Sequence, residues 1–331
     1  MCWKVVPIAG AKVSHSATSC WFVRLPHGKV ASSPFLASGG MAYEFQVGDV
    51  SGKGLKRIAR QQLRRLKSLL PDTTDATSGH HEARKCVKRL RSALMLARPV
   101  IGRAKWVRLD RRLAKVARAL SGARDATVLA QLLDRLEREH GPAVIGKSGR
   151  RLRAELSARP MTLETPAELA AIETRLARIK AEVKALPLRE FGIADALAGL
   201  EADYRAGRHA LGRAFSTGSP EAFHELRKHV QRHWRHMHLF AAAWPAEMAA
   251  RTELAKSLSE VLGEEHDFWL LAERLNDAHS GLARLCHQQQ EVARISAQGL
   301  LLRLFAERPK ALRKRIAAYW EAASEAVDAA P

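Results

Sequence analysis

His81-Glu-Ala-Arg84-Lys85-Cys-Val-Lys88-Arg89-Leu-Arg91, running on to Pro99, holds five basic residues within eight positions. Wound as a helix at about 100° per residue, it sorts into two stripes. Ala83, Cys86, Val87, Leu90, Leu94 and Ala97 fall on one side. His81, Arg84, Lys85 and Lys88 fall opposite, flanked by Arg89 and Arg91. A surface helix that needs only solvation mixes Glu with its Lys and Arg, because residues three or four apart pair. This one has a single acid, Glu82. The missing counter-charges point to an anion outside the chain, and the apolar stripe predicts a helix packed on a core.

The stretch recurs without a gap as His224-Glu-Leu-Arg227-Lys228-His-Val-Gln231-Arg232-His-Trp-Arg235. His81, Glu82, Arg84, Lys85, Val87 and Arg89 are matched by His224, Glu225, Arg227, Lys228, Val230 and Arg232, an offset of 143 (224 − 81). A second signature follows each copy: Leu120-Ser-Gly122-Ala-Arg-Asp125 and Leu262-Gly263-Glu-Glu-His-Asp267, with an offset of 142 (267 − 125). Two features at one spacing read as internal duplication. Gln231 stands where the first copy has Lys88, and Trp234 where it has Arg91. The second half is therefore expected to contribute less charge.

A helix of pattern H-x-x-R-[KV]-x-x-[KR]-R with a following L-x-G…D turn, repeated once, resembles the CHAD family, the conserved histidine α-helical domains. The resemblance covers roughly residues 41–325. It implies an all-α fold of two pseudo-symmetric four-helix bundles, with a basic channel between them that binds inorganic polyphosphate. His81 and His224 are then the histidines of the family's name, and a place at polyphosphate granules is what the family implies.

Composition agrees with such a fold. The chain has 331 residues, 47% hydrophobic, with three Tyr, which suits one large or two modest helical domains. A net charge of +21 favours a polyanion: nucleic acid, an anionic membrane surface or polyphosphate. Residues 51–150 hold 25 Lys and Arg against 8 Asp and Glu, so 17 of the 21 net charges lie there (25 − 8). No apolar run is long enough for a transmembrane helix, so no membrane insertion is expected. Cys2, Cys20, Cys86 and Cys286 lack metal-ligand spacing and read as free thiols of a reducing cytosol, which makes a cytoplasmic location the expectation.

Residues 1–40 have no sustained period and no signal-peptide pattern. They read as an unstructured extension, and Met41-Ala-Tyr-Glu-Phe looks like the customary opening of a family member, so Met41 is the expected real start. The domain is then 41–331, with a first bundle at about 51–190 and a second at about 191–328. From Ser51 to Leu70 a helix is readable, with Leu55, Ile58, Ala59, Gln62, Leu63, Leu66 and Leu70 on its core face. Lys53, Lys56, Arg57, Arg60, Arg64 and Lys67 form a second cationic stripe opposite. A further helix over about 103–120 sets Trp106, Leu109, Leu113, Val116, Ala117 and Leu120 against Arg108, Arg111, Arg112, Lys115 and Arg118. Gly122 breaks it, and Val128, Leu129, Leu132, Leu133 and Leu136 continue beyond. A loop at Gly141-Pro142, an Arg-rich 147–153 segment and a helix at about 166–186 complete the first half. In the second half helices are expected near 193–216, 220–242, 247–262, 266–280, 281–307 and 309–327, punctuated by Gly218-Ser-Pro220, Pro245, Gly263 and Pro309.

The chemistry these residues suit is anion binding. Phosphate oxygens accept from several donors at once; Arg offers a planar fork and Lys a compact charge. A linear polyphosphate repeats its charge every few ångströms, and helix positions i, i+4 and i+7 give a matching row of donors at about 1.5 Å rise per residue. Two such helices facing each other would line a trough from both sides. Arg84, Lys85, Lys88, Arg89, Arg91, Arg227, Lys228, Arg232 and Arg235 are the expected contacts, with His81 and His224 assisting. Lys56, Arg57, Arg60 and Arg64 are second-rank candidates on the neighbouring helix.

Metal ligation is disfavoured, because position i+4 from each of these histidines is a lysine, Lys85 or Lys228. His229 and His233 match Cys86 and Leu90 and are expected to be packed histidines; His238 points near the cationic face. Asp125 and Asp267 each follow a Gly turn and are expected as N-caps. There are no paired carboxylates for phosphoryl transfer, no Gly-rich phosphate loop and no GxSxG, so neither catalysis nor a cofactor is expected. Nucleic acid, bound non-specifically, is the alternative partner; the aromatics are not interleaved with the basic stripes, so base stacking has no evident platform.

Overall fold

The computed structural model of the protein describes residues 43–49, 51–70, 76–120, 124–158, 165–275 and 277–329. The expectations for residues 1–40 and for Met41 lie outside them. Among the described residues the chain forms twelve α-helices and no strand. These are α1 (Gly52–Ser68), α2 (Ala76–Leu96), α3 (Arg98–Ile101), α4 (Arg103–Ala119), α5 (Arg124–His140), α6 (Gly146–Ser157), α7 (Pro166–Lys184), α8 (Ile193–Thr217), α9 (Pro220–Leu239), α10 (Pro245–Arg274), α11 (Gly281–Leu304) and α12 (Pro309–Asp328).

The apolar stripes do what their spacing predicts. Ala83, Cys86, Val87, Leu90 and Leu94 of α2, with Ala97 just beyond its end, are all fully buried. So are Leu55, Ile58, Ala59 and Leu66 of α1, and Leu113 and Val116 of α4. Each fully buried Leu or Val contributes about 1.5–3 kcal/mol, so the stripes rather than helix propensity hold these helices in place. Local signals set the ends. Ser51, Ser219 and Ser280 each accept a backbone N–H at the start of a helix. Thr165 and Glu168 form a capping box at α7.

At an offset of about 143 residues α1, α2 and α7 of the first half stand in the same order as α8, α9 and α12, while α4 and α5 fall where the second half has the single α10. Both α7 and α12 open on a proline, Pro166 and Pro309, at the same offset as the motif histidines. The packing, however, does not divide into two self-contained bundles at residue 190. One continuous core takes residues from α1, α2, α4 and α7 together with α8, α9, α10 and α12. A second, smaller core is built by both halves at once: Leu129, Leu133 and Leu136 of α5 and Leu152 of α6 meet Phe268 and Leu271 of α10 and Cys286 of α11. The halves are joined closely. At Gly199 in α8 a Cβ would sit 2.2 Å from the Leu96 carbonyl oxygen, so only glycine lets α8 lie against the end of α2. His236 of α9 reaches across to the Ser92 carbonyl of α2 at 3.0 Å.

Two sequence expectations are corrected. Gly263 does not end a helix: α10 runs unbroken from Pro245 to Arg274, so the segments expected at 247–262 and 266–280 are one element. Asp267 therefore lies in mid-helix and not at a helix start, while Asp125 falls at the second residue of α5, its side chain outside the described residues. The Arg-rich 147–153 segment, to which the sequence assigns no element, is the body of α6. Its apolar positions, Leu152 and Leu156, are four apart, too few to show a period in isolation.

Candidate functional site

A trough of about 660 Å³ opens between α2 and α9, with α4, α5 and α10 completing its walls. From α2 it takes Arg84, Lys88 and Arg91; from α9, His224, Arg227, Lys228, Gln231, Arg232 and Arg235. Arg118 of α4 adds an eighth Lys or Arg, against two acids, Asp110 and Asp267. The cationic surplus of six on one concave surface is the dominant physical feature of the site. Low-dielectric walls focus such a field on whatever enters. Met95, Trp106, Val128, Leu129 and Leu270 supply those apolar walls.

The two stripes are thus brought together, but not all of their members. Lys85 turns to Glu82 at 2.6 Å, while Arg65 of α1 reaches the same carboxylate at 3.5 Å. Arg89 lies 6.0 Å from the centre of the Tyr43 ring, and its carbonyl accepts the Tyr43 hydroxyl at 2.8 Å. His81, half-buried on α2, is not among the trough residues. None of the four α1 candidates lines it either. Lys56 instead donates to the carbonyls of Lys184 and Leu186, both at 2.9 Å, holding the C-terminal end of α7. Arg57 is paired with Asp49 at 3.0 Å and also donates to the Glu44 carbonyl. Arg60 donates to the Lys56 carbonyl, and Arg64 is exposed.

Several trough cations are held in place from behind. Arg91 is bound by Asp110 through two bonds of 2.7 and 2.9 Å. Arg232 is bound by Asp203, a buried carboxylate of α8, at 2.9 and 3.1 Å, with His229 alongside. Burial alone would raise the Asp203 carboxyl, but the Arg232 guanidinium and the His229 hydrogen bond hold it well below the usual carboxylate range. Arg235 donates to the Gln231 carbonyl at 2.8 Å and lies over the Trp234 ring at 5.2 Å. Burial pushes its guanidinium down to about 10, and the like charges of Arg89, Arg232 and Arg227 press the same way, so it stays charged at neutral pH. Lys228 pairs with Glu225 at 2.9 Å, the counterpart of the Lys85–Glu82 pair.

Arg227 explains Gly263, the glycine of the second signature. A Cβ at Gly263 would lie 3.0 Å from Arg227 Nη2 and 3.5 Å from its Cζ. Gly263 leaves the room in which the Arg227 guanidinium crosses α10. In the second copy the glycine read as a turn is a packing notch for a trough cation.

Sequence reasoning missed His266. It stacks on His224 with ring centroids 4.2 Å apart and is followed by Trp269 at 5.4 Å. Burial, then the neighbouring Lys228 and Arg227 charges, holds His224 below its ordinary value. Burial, His224 and Arg227 push His266 down to about 4. Both rings are therefore neutral at pH 7, and the Nδ1 of each is buried without a hydrogen-bond partner among the described residues. The only sequence signal was that His266 sits where the first half has Arg124, a basic position at the repeat offset. The histidines expected to be packed are so: His229 and His233 are buried, His233 within ring contact of Tyr204. His238 meets Tyr43 edge-on, beside Arg89. Trp106 reaches the trough yet is only 6% exposed, so it offers an edge and not a stacking face.

Among the described residues, no helix is long and apolar enough to cross a membrane. Comparison with protein-family models matches the CHAD domain over residues 57–276, two thirds of the chain. The match spans α2, α9 and the trough between them. Comparisons with curated proteins and with solved structures find no match.

Proposed function

Since the chain belongs to the CHAD family, a family associated with polyphosphate, we propose that the trough binds inorganic polyphosphate without chemical conversion. The observation that carries this is the meeting of two copies of one cationic helix motif on facing walls of a single cavity, eight Lys and Arg against two Asp. Arg84 and Lys88 on one wall and Arg227 and Lys228 on the other give each wall neighbouring donors, as a phosphate chain needs to touch both walls repeatedly. The trough acids do not form a catalytic pair, since Asp110 is committed to Arg91. We place this binding in the cytosol, at polyphosphate granules.

A generic polyanion or nucleic-acid binder is the competing reading. One observation favours it: α4 exposes Arg103, Lys105, Arg108, Arg111 and Lys115 away from the trough, an unshaped cationic surface. The deciding experiment is a salt titration of affinity for long-chain polyphosphate and for double-stranded DNA of equal charge. Counterion release weakens both as salt rises. A shaped trough retains polyphosphate at salt concentrations where DNA is lost. If the two affinities fall together, the trough reading is wrong and the basic surface is a general polyanion binder. Phosphate release in the presence of Mg²⁺ or Mn²⁺ would overturn the non-enzymatic part.

A further inference from the structure

α11 is apolar on two sides. Leu282, Cys286, Ala293, Ala297 and Leu301 face the protein and are buried. On the outer face Val292, Ile295 and Leu302 are 59%, 66% and 52% exposed, half of the large exposed hydrophobics among the described residues. A helix apolar all round is a buried helix; here only one side is covered. Gln288, Val292, Ile295, Gly299 and Leu302 follow one another at steps of four, three, four and three residues. That is the seam of a two-helix coiled coil over two heptads.

We propose that this face of α11 is a homodimer interface, covered by α11 of a second copy running antiparallel about a twofold axis near residue 297. In that register Val292 opposes Leu302 of the second copy, and Ile295 opposes its Gly299. Nothing lies within 4 Å of the position a Gly299 Cβ would take, so the notch is open to receive the large Ile295 side chain. The pairing is self-complementary, as a twofold interface requires.

Charge selects this face too. With a net charge of +21, two copies repel wherever their cations meet. The rim of the seam is formed by Ser296 and Gln298, both uncharged, by Glu291, which pairs with Arg294 at 2.8 Å, and by the exposed Arg303, which in this register stands opposite Glu291 of the second copy. Two short heptads make a small interface, at the low end of the area that stable complexes bury. The dimer is therefore concentration-dependent.

Sedimentation equilibrium of the full chain tests this across the micromolar range. The expected result is a rise from 36.6 kDa toward twice that mass with concentration. Association should tighten at about 0.5 M salt, where the repulsion is screened, opposite to the salt dependence of the trough. Ile295→Glu, at an exposed position, should return the protein to the monomer mass with its helical circular dichroism unchanged. A monomer at every concentration and salt overturns the proposal, as does a dimer indifferent to Ile295→Glu. A monomer that instead sediments with anionic lipid vesicles in an Ile295-dependent way overturns it in favour of a membrane surface.

Discussion

α2 and α9 carry the same motif, yet they present it differently. α9 sends four cations and a histidine into the trough: Arg227, Lys228, Arg232, Arg235 and His224. α2 sends three, Arg84, Lys88 and Arg91, while Lys85, Arg89 and His81 do not line it. The sequence pointed the other way, because Gln231 and Trp234 replace Lys88 and Arg91 in the second copy. What the substitutions could not reveal is anchoring. Arg232 has the buried Asp203 behind it. At the repeat offset the first half has Arg60 in place of Asp203, a cation, and the matching Arg89 lies on Tyr43 instead. The count of charges belongs to the helix, but their delivery belongs to the helices packed behind it.

The largest test of this asymmetry is charge reversal on one wall at a time. Each charge-assisted phosphate contact is worth about 1.5–3 kcal/mol. Arg227→Glu with Lys228→Glu should therefore cut polyphosphate affinity on the order of 10²–10⁴-fold. Arg84→Glu with Lys88→Glu should also abolish tight binding. Lys85→Glu with Arg89→Glu, on the same helix but off the trough, should cost far less. Titration calorimetry beside circular dichroism separates lost binding from lost fold. Equal losses from all three pairs would mean that the whole stripe, and not the trough, meets the ligand.

The next test removes the anchor. Asp203→Asn leaves the Arg232 guanidinium without its carboxylate in a largely buried place, and breaking a buried pair from one side costs about 3–5 kcal/mol. Chemical denaturation should show that loss at pH 7. The Asp203 carboxyl is held low in the folded protein, so its stabilisation is present above the unfolded value of about 4 and is lost as pH falls below it. The wild-type advantage over the variant should shrink below pH 4 and be flat between pH 5 and 8.

A smaller effect distinguishes the two motif histidines. His224 and His266 are neutral in the empty trough because burial and nearby cations lower them. A phosphate chain beside the rings favours their charged forms, so binding raises both values and takes up protons. Affinity should then rise as pH falls, by up to about tenfold per pH unit for each proton taken up, and the gain is lost as pH rises through the bound-state values. His224→Gln or His266→Gln should flatten that slope between pH 5.5 and 8. His81→Gln should leave it unchanged. A slope that depends on His81 would place the first motif histidine at the ligand after all.

Much of the fold was legible in the sequence. The core faces of α1, α2 and α4 followed from period alone, because each stripe is long and its opposite face strongly charged. The all-α class followed with them. The partition of the core was not legible: α5 and α10 are each amphipathic by themselves, and nothing local says that they will share the second core. The site was half legible. Arg84, Lys88, Arg227 and Arg232 were readable from the duplicated pattern. His266 was not, because it lies close to a glycine of the kind that in most sequences ends a helix. Lys56 and Arg57 looked like binding residues for the same reason as Arg84, an unmatched charge on a helix face. Their partners are loop and helix-end carbonyls and Asp49, distant in sequence or not helical, which a helical wheel does not display.

Gly263→Ala gives the smallest effect and the sharpest separation of motif from helix. A glycine inside a continuous helix costs about 0.5–1 kcal/mol relative to alanine, so removing it from α10 should stabilise the protein by that amount. The added Cβ meets only the far end of a flexible side chain, Arg227 Nη2 at 3.0 Å, which can move at little cost to the fold. The guanidinium that moves is one that lines the trough. The variant should thus melt a few degrees higher and bind polyphosphate a few-fold more weakly, a divergence that neither a turn glycine nor a purely structural one produces. If Gly263 were needed as a helix break, alanine would lower the melting temperature. If Arg227 did not reach the ligand, affinity would be unchanged. Opposite signs in the two measurements tie the notch in α10 to the delivery of an α9 cation.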